Sequence, residues 1–330
     1  MTEIYVSDAI HPDVLATIGE SARVHLGWGD DAVDYARVAP AVDAVILRAE
    51  TFSRAVIEAS PNLRIIARHG VGTDNVDLHA AAEHCVWVTT TPGANSNAVA
   101  EYVFALLLSA ARKVPQAMER VRGERWSEGK SDLVGFELGG RTIGVLGFGS
   151  IGRAVTRIAT GFRMRVLAYD PAVEPADIAG AGAGPVELRE LLAASDVVTV
   201  HVPLLPSTRN LLGADEIARM KPGSILVNTS RGGLVDENAL ADALRSGRLG
   251  GAVLDVLEAE AADMKDPLRH NALPLGTTPA LGVTPHVAGQ TTEAFRQAGH
   301  MAWEAVQAAL ADRTPPHAVQ PRGGRMAAEA

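Results

Sequence analysis

Cysteine is nearly absent from this sequence. Cys85 is the only one among 330 residues, so the chain forms no internal disulfide, and nothing in it points to an oxidising compartment. The amino terminus lacks a basic segment followed by a long apolar run, and we therefore expect no signal peptide. Together these absences favour the cytoplasm.

Long hydrophobic runs and aromatic residues are also scarce. The longest apolar stretch, residues 102–111, is too short for a bilayer, which takes about 20 residues, and it predicts a buried helix. With aromatics at 4%, the core must consist mainly of Ala, Val, Leu and Ile. The formal net charge of −9 argues against a nucleic-acid-binding surface. We expect neither a membrane nor a nucleic acid as partner.

Short apolar runs alternate with helical patterns along most of the chain. Such alternation predicts parallel sheets with helices on both faces. The first series of predicted strands lies at 3–7, 22–28, 44–50, 63–67 and 86–90. The second series lies at 141–147, 165–170, 196–202, 224–228, 251–256 and 281–285. Two successive series predict an α/β protein with two doubly wound, Rossmann-like domains.

The segments outside these strands are less regular. A long helix is predicted over 97–122, and a glycine-punctuated stretch around Trp126 follows it over 122–140. That stretch is either a loop over the core or an arm that packs on a second subunit. A last helix is predicted over 291–311, and the Pro- and Gly-rich tail from 313 is expected to have little fixed structure.

A glycine motif follows the first strand of the second series. Gly147, Gly149 and Gly152 form G-x-G-x-x-G between a predicted strand and a predicted helix. The glycines permit a tight turn, close approach of a diphosphate to the backbone, and close packing of the helix on the strand. Asp170 closes the next strand, where a carboxylate binds both ribose hydroxyls and favours NAD over NADP. A glycine-rich turn without a ligand accounts less well for this combination.

Polar residues close the later strands of the second series. In open parallel sheets ligands bind at the carboxyl ends of the strands, which draws attention to His201, the segment 228–231, Asp255 and His286. Reduction of a 2-keto acid by NADH needs a cation for the carboxylate, an acid for the new alkoxide, and a carboxylate that supports the acid. Arginine, histidine and an acidic residue supply these three roles.

Several segments, in order, resemble the D-isomer-specific 2-hydroxyacid dehydrogenase family, which includes phosphoglycerate dehydrogenases and hydroxypyruvate reductases. They are ARHGVGTDNVD, TTPGANSNAVAE, GVLGFGSIGRAV, AYDP, HVPLLPSTRNLLG, KPGSILVNTSRGGLVDENAL, GAVLDVLEAE and GVTPHVAG. The resemblance extends from about residue 40 to 312. It implies an NAD(H)-dependent oxidoreductase that interconverts a small D-2-hydroxy acid and its 2-keto acid.

The resemblance also implies roles for individual residues. Arg231 would bind the substrate carboxylate, His286 would exchange the proton, and Glu260 would pair with His286. Glu258 competes with Glu260 for that last role. The implied cofactor-binding residues are Gly147, Gly149, Ser150, Ile151, Gly152, Asp170, His201, Pro203, Thr208, Thr229 and Asp255. No metal is expected.

On the substrate side, the resemblance implies that the backbone amides of Val71 and Gly72 hold the carboxylate and that Asn95 lines the pocket. Arg48 and Arg68 occupy places where phosphoglycerate dehydrogenases have arginines that face the substrate phosphate. They are otherwise ordinary surface charges. A phosphorylated substrate is therefore one alternative.

The implied domain arrangement is split. Residues 1–97 and 290–330 would form a flavodoxin-like substrate-binding domain, and 98–289 an NAD-binding Rossmann domain. A homodimer through the arm around Trp126 is expected. Because the chain ends soon after the last predicted helix, no C-terminal regulatory domain is expected. An NAD-sensing, corepressor-like binding protein of the same fold is the alternative from another functional class.

Overall fold

A computed structural model describes residues 1–263, 266–271, 273–275, 278 and 280–319. The chain divides into two compact units, Met1–Asn95 with Gln290–Ala330, and Ser96–Gly289. Compared with the predicted domains, Ser96 and Asn97 move to the second unit, where they begin a helix.

Among the described residues of the first unit, five parallel strands form one sheet in the order β2-β1-β3-β4-β5. They are β1 (Glu3–Val6), β2 (Arg23–Leu26), β3 (Ala44–Leu47), β4 (Ile65–Arg68) and β5 (Trp87–Thr89). The helices are α1 (Pro12–Gly19), α2 (Tyr35–Val38), α3 (Arg54–Glu58), α4 (Leu78–Glu83) and the last helix, α12 (Thr292–Leu310). Each strand falls largely within a predicted run. The short helix α2 was not predicted.

Both faces of this sheet are covered. Alternate residues of β1 enter different cores: Ile4 and Val6 pack in the cluster that contains Trp303 of α12, and Tyr5 packs in the cluster that contains Tyr35 of α2. This follows from the two-residue period of a strand, and it explains why the strands appear in the sequence as nearly continuous apolar runs.

The beginning of the C-terminal tail is ordered, contrary to the expectation for it. Ala318 pairs with Thr89 in an antiparallel bridge. The Thr90 amide donates to the His317 carbonyl at 3.2 Å, and the Val319 amide donates to the Val88 carbonyl at 2.9 Å. The tail thus covers the β5 edge of the sheet, which would otherwise leave backbone groups unpaired. Residues 320–330 lie outside the described residues.

In the described part of the second unit, seven parallel strands form a sheet in the order β12-β11-β10-β9-β6-β7-β8. They are β6 (Thr142–Leu146), β7 (Arg165–Tyr169), β8 (Gly184–Pro185), β9 (Val197–Val200), β10 (Ile225–Asn228), β11 (Gly251–Leu254) and β12 (Leu281–Val283). The helices are α5 (Ser96–Ala111), α6 (Val114–Arg122), α7 (Ser150–Gly161), α8 (Pro175–Gly180), α9 (Leu188–Ala194), α10 (Ala214–Arg219) and α11 (Glu237–Arg245). The two-residue strand β8 was not predicted. The expected fold class, α/β with two doubly wound parallel sheets, is confirmed.

The single helix predicted over 97–122 is wrong, because the chain forms α5 and α6 there. Lys113 between them has a φ of 53°, a left-handed conformation that ends a right-handed helix. Pro115 follows in the first turn of α6, where its missing amide is tolerated. α5 packs into the core through Val103 and Leu107, whereas α6 buries no residue.

The strand order reverses next to β6, and the turn from β6 into α7 lies at this point. Gly147 has a φ of 90°, and a Cβ on it would lie 2.6 Å from the His201 carbonyl oxygen. A Cβ on Gly152 would lie 2.2 Å from the Gly147 carbonyl oxygen. Both positions therefore require glycine, one for the turn and one for the close packing of α7.

We expect Gly152→Ala to lower the free energy of unfolding by about 1–3 kcal/mol, because the added methyl group overlaps a backbone oxygen inside a packed turn. Gly161→Ala is the matched control, since Gly161 lies in the same helix and a Cβ there meets no atom within 4 Å. The control should be neutral or stabilising, as alanine favours helices. Urea unfolding followed by circular dichroism measures both variants, and equal stability would contradict the packing argument.

Candidate active site

The glycine loop leaves space where a dinucleotide is expected. Gly149 caps the amino terminus of α7, and a Cβ on it would meet no atom within 4 Å. In the described part of the chain, no group accepts a hydrogen bond from the amides of Ser150, Ile151 and Gly152. Such amides at a helix start carry partial positive charge, which suits a diphosphate.

Asp170 closes β7 beside this loop. Its Oδ2 accepts a hydrogen bond from the Phe148 amide at 2.7 Å, and its Oδ1 accepts one from the Ala172 amide at 2.9 Å. The carboxylate therefore ties the end of β7 to the glycine loop. Each oxygen retains acceptor capacity, so this geometry fits the expected contact with a ribose.

His201 ends β9 as a neutral, shielded ring. Its Nε2 lies 2.9 Å from the Thr199 hydroxyl, and its Nδ1 is buried without a partner among the described residues. Burial lowers the pKa of His201 to about 3, so the ring carries no charge at neutral pH. The Nδ1 of this uncharged imidazole can accept a hydrogen bond from a nucleotide or donate one to it, depending on the tautomer of the ring.

Pro203 and Thr208 shape the loop that follows β9. The Thr208 hydroxyl donates to the Pro203 carbonyl at 2.7 Å and accepts from the Leu205 amide at 2.8 Å. The two expected cofactor residues are therefore parts of one turn, which fixes the backbone at this strand end.

The segment NTSRGG follows β10 and is held by its own side chains. Asn228 accepts from the Ser230 amide at 3.0 Å and donates to the Arg231 carbonyl at 2.8 Å. The Ser230 hydroxyl donates to the Val200 carbonyl at 2.9 Å. These bonds turn the backbone sharply and place Arg231, which is half-buried, at the carboxyl end of the strand. The buried Thr229 hydroxyl has no partner in the described part, which fits its expected role towards a cofactor.

Gly232 brings this segment against the one that follows β11. A Cβ on Gly232 would lie 2.1 Å from the carbonyl carbon of Leu257 and 2.3 Å from the nitrogen of Glu258. Only glycine allows this approach of two backbones. Arg231 precedes Gly232 in sequence, so its backbone lies close to the Leu257–Glu258 peptide. That peptide begins the turn Glu258–Ala261, which we call the acidic turn.

Glu260, rather than Glu258, contacts His286. Oε2 of Glu260 lies 2.7 Å from Nδ1 of His286, and Oε1 accepts a hydrogen bond from the Leu257 amide at 2.9 Å. Glu258 instead forms an exposed ion pair with Arg209 at 3.3 Å. The Glu260 side chain is 13% exposed and that of His286 is 40% exposed, so the acid is shielded and the imidazole is accessible.

Asp255 anchors the turn that carries His286. Its fully buried carboxylate accepts hydrogen bonds from the Thr284 hydroxyl at 2.6 Å, the Val287 amide at 3.0 Å and the Ala288 amide at 2.7 Å. These bonds surround His286, whose φ of 53° is unusual for a residue other than glycine. The residue was expected only as a cofactor contact, and this second role depends on tertiary contacts that the sequence pattern does not show.

Arg48 and Arg68, both in the first unit, differ in how many of their guanidinium donors are already hydrogen-bonded. Arg68 donates from Nε to the Gly72 carbonyl and from Nη1 to the Leu47 carbonyl, both at 2.8 Å, and Nη1 also contacts the Arg48 carbonyl. Arg48 lies over the Phe295 ring, with 4.5 Å from Cζ to the ring centroid, and donates from Nη1 to the Ala9 carbonyl at 3.1 Å. Arg68 therefore braces the backbone, whereas Arg48 uses one guanidinium nitrogen for a hydrogen bond to a backbone carbonyl and leaves most of its donors available.

The loop after β4 presents backbone donors. No described residue accepts a hydrogen bond from the amides of Val71 or Gly72, and the Val71 side chain is exposed. Asn95 ends the first unit, and its buried Oδ1 has no partner in the part of the chain that the structure describes. These groups can bind a small polar ligand, which agrees with the expectation for them.

His69 is a further buried residue at the end of β4, next in sequence to Arg68. Its Nε2 lies 3.0 Å from the Phe295 carbonyl oxygen, and its ring packs edge-on against the Phe295 ring. Burial, together with the charges of Arg48 and Arg68, lowers the pKa of His69 to about 4, against the opposing effect of the hydrogen bond to Phe295. A neutral His69 therefore links the end of β4 to the first turn of α12.

Over the described ranges, no group of three or more His, Cys, Asp or Glu side chains is arranged to hold a metal ion. No helix in those ranges is long and apolar enough to span a bilayer.

Comparisons with known proteins place this geometry in a family. Residues 104–288 match the family model described as the NAD-binding domain of D-isomer specific 2-hydroxyacid dehydrogenases. The chain is 41% identical over 267 residues to a hydroxypyruvate reductase of Thermotoga maritima, which covers 80% of this chain and 83% of that protein. It is 39% identical over 322 residues to a D-3-phosphoglycerate dehydrogenase of Mycobacterium tuberculosis, which covers 97% of this chain and 59% of that protein. The chain thus spans less than two thirds of the length of these mycobacterial relatives.

Solved structures agree. A D-lactate dehydrogenase from Escherichia coli superimposes with a TM-score of 0.83 at 30% identity, covering 97% of this chain and all of that one. An NADPH-dependent glyoxylate/hydroxypyruvate reductase from Sinorhizobium meliloti gives a TM-score of 0.84 at 29% identity, covering 98% of this chain and all of that one. The expected cofactor, NAD, agrees with the family model. The chain belongs to the D-isomer specific 2-hydroxyacid dehydrogenase family.

Proposed function

We propose that this protein is an NAD(H)-dependent oxidoreductase that interconverts a small D-2-hydroxy acid and its 2-keto acid. The observation that carries the proposal is the 2.7 Å contact between Glu260 and His286 at the carboxyl end of a parallel sheet. An accessible imidazole backed by a shielded carboxylate suits the exchange of a proton with a substrate oxygen.

In this proposal, His286 protonates the alkoxide during reduction and accepts the hydroxyl proton during oxidation. Because Nδ1 faces Glu260, the proton is exchanged at Nε2. Glu260 stabilises the imidazolium by its charge and fixes the ring orientation through the Nδ1 hydrogen bond. The Asp255 carboxylate holds the turn on both sides of His286, so the ring is positioned before the substrate binds.

Arg231 binds the substrate carboxylate and polarises the keto group, since a guanidinium matches a carboxylate in charge and shape. In the first unit, the amides of Val71 and Gly72 and the side chain of Asn95 are proposed to contact the substrate. NAD, when bound, supplies or accepts the hydride. The residues proposed to hold it are Gly147, Gly149, Ser150, Ile151, Gly152, Asp170, His201, Pro203, Thr208, Thr229 and Asp255. We propose accordingly that the second unit binds the cofactor and that the first unit binds the substrate.

A substrate panel tests the function. Glyoxylate, hydroxypyruvate, pyruvate, branched and aromatic 2-keto acids and 3-phosphoglycerate are assayed by nucleotide absorbance at 340 nm, with NAD(H) and with NADP(H). Preference for NAD(H) is expected from Asp170, which repels a 2′-phosphate. Nucleotide binding without turnover of any acid would instead favour the corepressor-like alternative.

We expect His286→Ala to lower kcat by about 100- to 10,000-fold, the usual contribution of a positioned general acid. The affinity for NADH, measured by nucleotide fluorescence, should change little because the imidazole acts on the substrate. His79→Ala is the matched control, since His79 is an exposed histidine of the first unit. Turnover near the wild-type rate in His286→Ala would refute the proton role.

A phosphorylated substrate is the second candidate, and Arg48 favours it. The Arg48 guanidinium lies over Phe295, which also lines a cavity of about 510 Å³ with Ile10, His11 and Gln290. Burial lowers the pKa of Arg48, whereas the Asp8 charge raises it. A partly desolvated guanidinium with available donors binds a phosphate strongly. Relatives named D-3-phosphoglycerate dehydrogenase point the same way.

If the substrate is phosphorylated, Arg48→Ala should raise KM for 3-phosphoglycerate by about tenfold or more and leave KM for unphosphorylated acids unchanged. Arg68→Ala is the comparison. Because Arg68 donates to backbone carbonyls, its loss should lower stability and affect all acids alike. An unchanged KM for the phosphorylated acid in Arg48→Ala would exclude this candidate.

The expected homodimer through the arm remains a proposal. Val114, Met118 and Val121 lie on one face of α6 and are 41%, 52% and 53% exposed. Trp126 and Val134 in the following stretch are 71% and 70% exposed. Exposed apolar residues at this density are typical of an interface rather than of solvent-facing surface.

The cytoplasmic location is likewise a prediction, which cell fractionation would test.

We expect Met118→Glu to weaken self-association by at least tenfold in sedimentation velocity, because it places a charge in an apolar contact. Leu268→Glu is the control, as Leu268 is also exposed, at 60%, but lies outside the arm. A wild-type monomer at micromolar concentration, or an unchanged dimer in Met118→Glu, would contradict the proposal.

A further inference from the structure

Glu237 is a buried carboxylate outside the proposed catalytic residues. It is the first residue of α11, immediately after the cap residue Asp236, and it is 6% exposed. A carboxylate in the first turn is favoured by the helix dipole, but such residues usually face solvent. Glu237 instead points inward, where its Oε1 accepts a hydrogen bond from the Glu258 amide at 2.7 Å.

That amide belongs to the peptide from which the acidic turn begins. The Leu257 amide donates to Oε1 of Glu260 at 2.9 Å, so two successive amides are held by two carboxylates. Gly232 packs closely against the Leu257–Glu258 peptide, since a Cβ on Gly232 would lie 2.2 Å from the Leu257 carbonyl oxygen. The peptide is thus fixed by α11, by the segment that carries Arg231, and by Glu260 itself.

The electrostatic surroundings of Glu237 are unfavourable to its charge. Burial raises the pKa of Glu237, and the carboxylates of Glu258, Glu260 and Asp236 raise it further, whereas the hydrogen bond from the Glu258 amide lowers it. A buried acid with three acidic neighbours costs free energy that the single amide bond offsets only in part. Its position is therefore better explained by what it holds than by stability alone.

We propose that Glu237 is a positioning residue for the Glu260–His286 pair. By holding the Glu258 amide, it orients the Leu257–Glu258 peptide, whose carbonyl accepts a hydrogen bond from the Glu260 amide at 3.1 Å. The adjoining Leu257 amide donates to Oε1 of Glu260, and the other carboxylate oxygen, Oε2, contacts Nδ1 of His286. The inference rests on the proposed proton exchange at His286 and adds a residue that acts on it through Glu260.

Shortening this side chain should affect chemistry more than nucleotide binding. Without the Glu237 hydrogen bond the Leu257–Glu258 peptide loses the acceptor for its amide, and the Leu257 carbonyl and amide that contact Glu260 are held less firmly. The imidazolium of His286 is then less well supported. The glycine loop and Asp170 do not contact Glu237, so the affinity for NADH should be retained.

Three variants distinguish the effect of the side-chain length at position 237 from the effect of its charge. Glu237→Asp keeps the acid at the helix start but withdraws the oxygen from the Glu258 amide. Glu237→Gln removes the charge but keeps an acceptor oxygen at the same distance. Glu190→Asp is the control, because Glu190 is an exposed acid in the first turn of α9 in the same unit.

The measurements are kcat, KM, the NADH dissociation constant, the pH dependence of kcat for keto-acid reduction, and amide hydrogen exchange over residues 254–263. We expect Glu237→Asp to lower kcat about tenfold, to move the alkaline limb of the pH profile to lower pH, and to change the NADH dissociation constant less than twofold. Exchange at Leu257 and Glu258 should accelerate at least tenfold. Glu237→Gln should recover most of the kcat and most of the protection, and the control should match the wild type.

Each contrary result overturns the proposal. A kcat within twofold of the wild type in Glu237→Asp would show that Glu260 needs no such support. A loss in Glu237→Gln as large as that in Glu237→Asp would show that an acceptor oxygen for the Glu258 amide is not what supports Glu260. A parallel loss of NADH affinity would indicate general distortion of the unit. If the wild type reduces no keto acid, the proposed function fails, and amide exchange still decides whether Glu237 holds the peptide.

Discussion

The close approach of Gly232 to the Leu257–Glu258 peptide is the constraint on which the rest of the site depends. A Cβ at this point would lie 2.1 Å from a backbone carbon, so no side chain fits between the two segments. One segment carries Arg231 and the other begins the turn that carries Glu260. The contact therefore holds together the two backbone segments that carry a cation and an acid. Such packing is more rigid than long side chains that meet in solvent.

Much of the fold could be predicted because both sheets are parallel and covered on both faces. Strands such as β3 and β10 are then continuous apolar runs, which stand out in any sequence. Two of the failures share one cause, since they concern elements whose conformation depends on partners distant in sequence. β8 is a two-residue strand that exists only because β7 lies beside it. The start of the tail pairs with the β5 edge through His317, Ala318 and Val319, a partner distant in sequence. The break at Lys113 is different, since the nearby Pro115 was a local signal that the apolar pattern outweighed.

The candidate site also has a part that the sequence predicted and a part that depends on tertiary contacts. Residue types at strand ends drew attention to the segment with Arg231, to the acids after β11 and to His286, and the family resemblance then assigned the roles of Arg231, Glu260 and His286. Which oxygen or nitrogen each group uses is a tertiary property. The sequence left Glu258 and Glu260 as alternatives, and only the contact at 2.7 Å separates them. Asp255 was expected to contact the cofactor, and its fully buried carboxylate has a further role in holding the His286 turn, which no local pattern shows.

Several charged residues in this protein hold backbone rather than ligand. Asp255 accepts from two amides and a hydroxyl, Glu237 accepts from one amide, and Arg68 donates to carbonyls of two strand-end loops. Charged groups satisfy a buried peptide more strongly than neutral ones, so each bond can fix a loop that carries a reactive side chain. A charge used in this way is not available to a substrate. Among the two arginines that the sequence could not distinguish, this argument assigns Arg68 to the scaffold and leaves Arg48 as the cation that can respond to a second anionic group on the substrate.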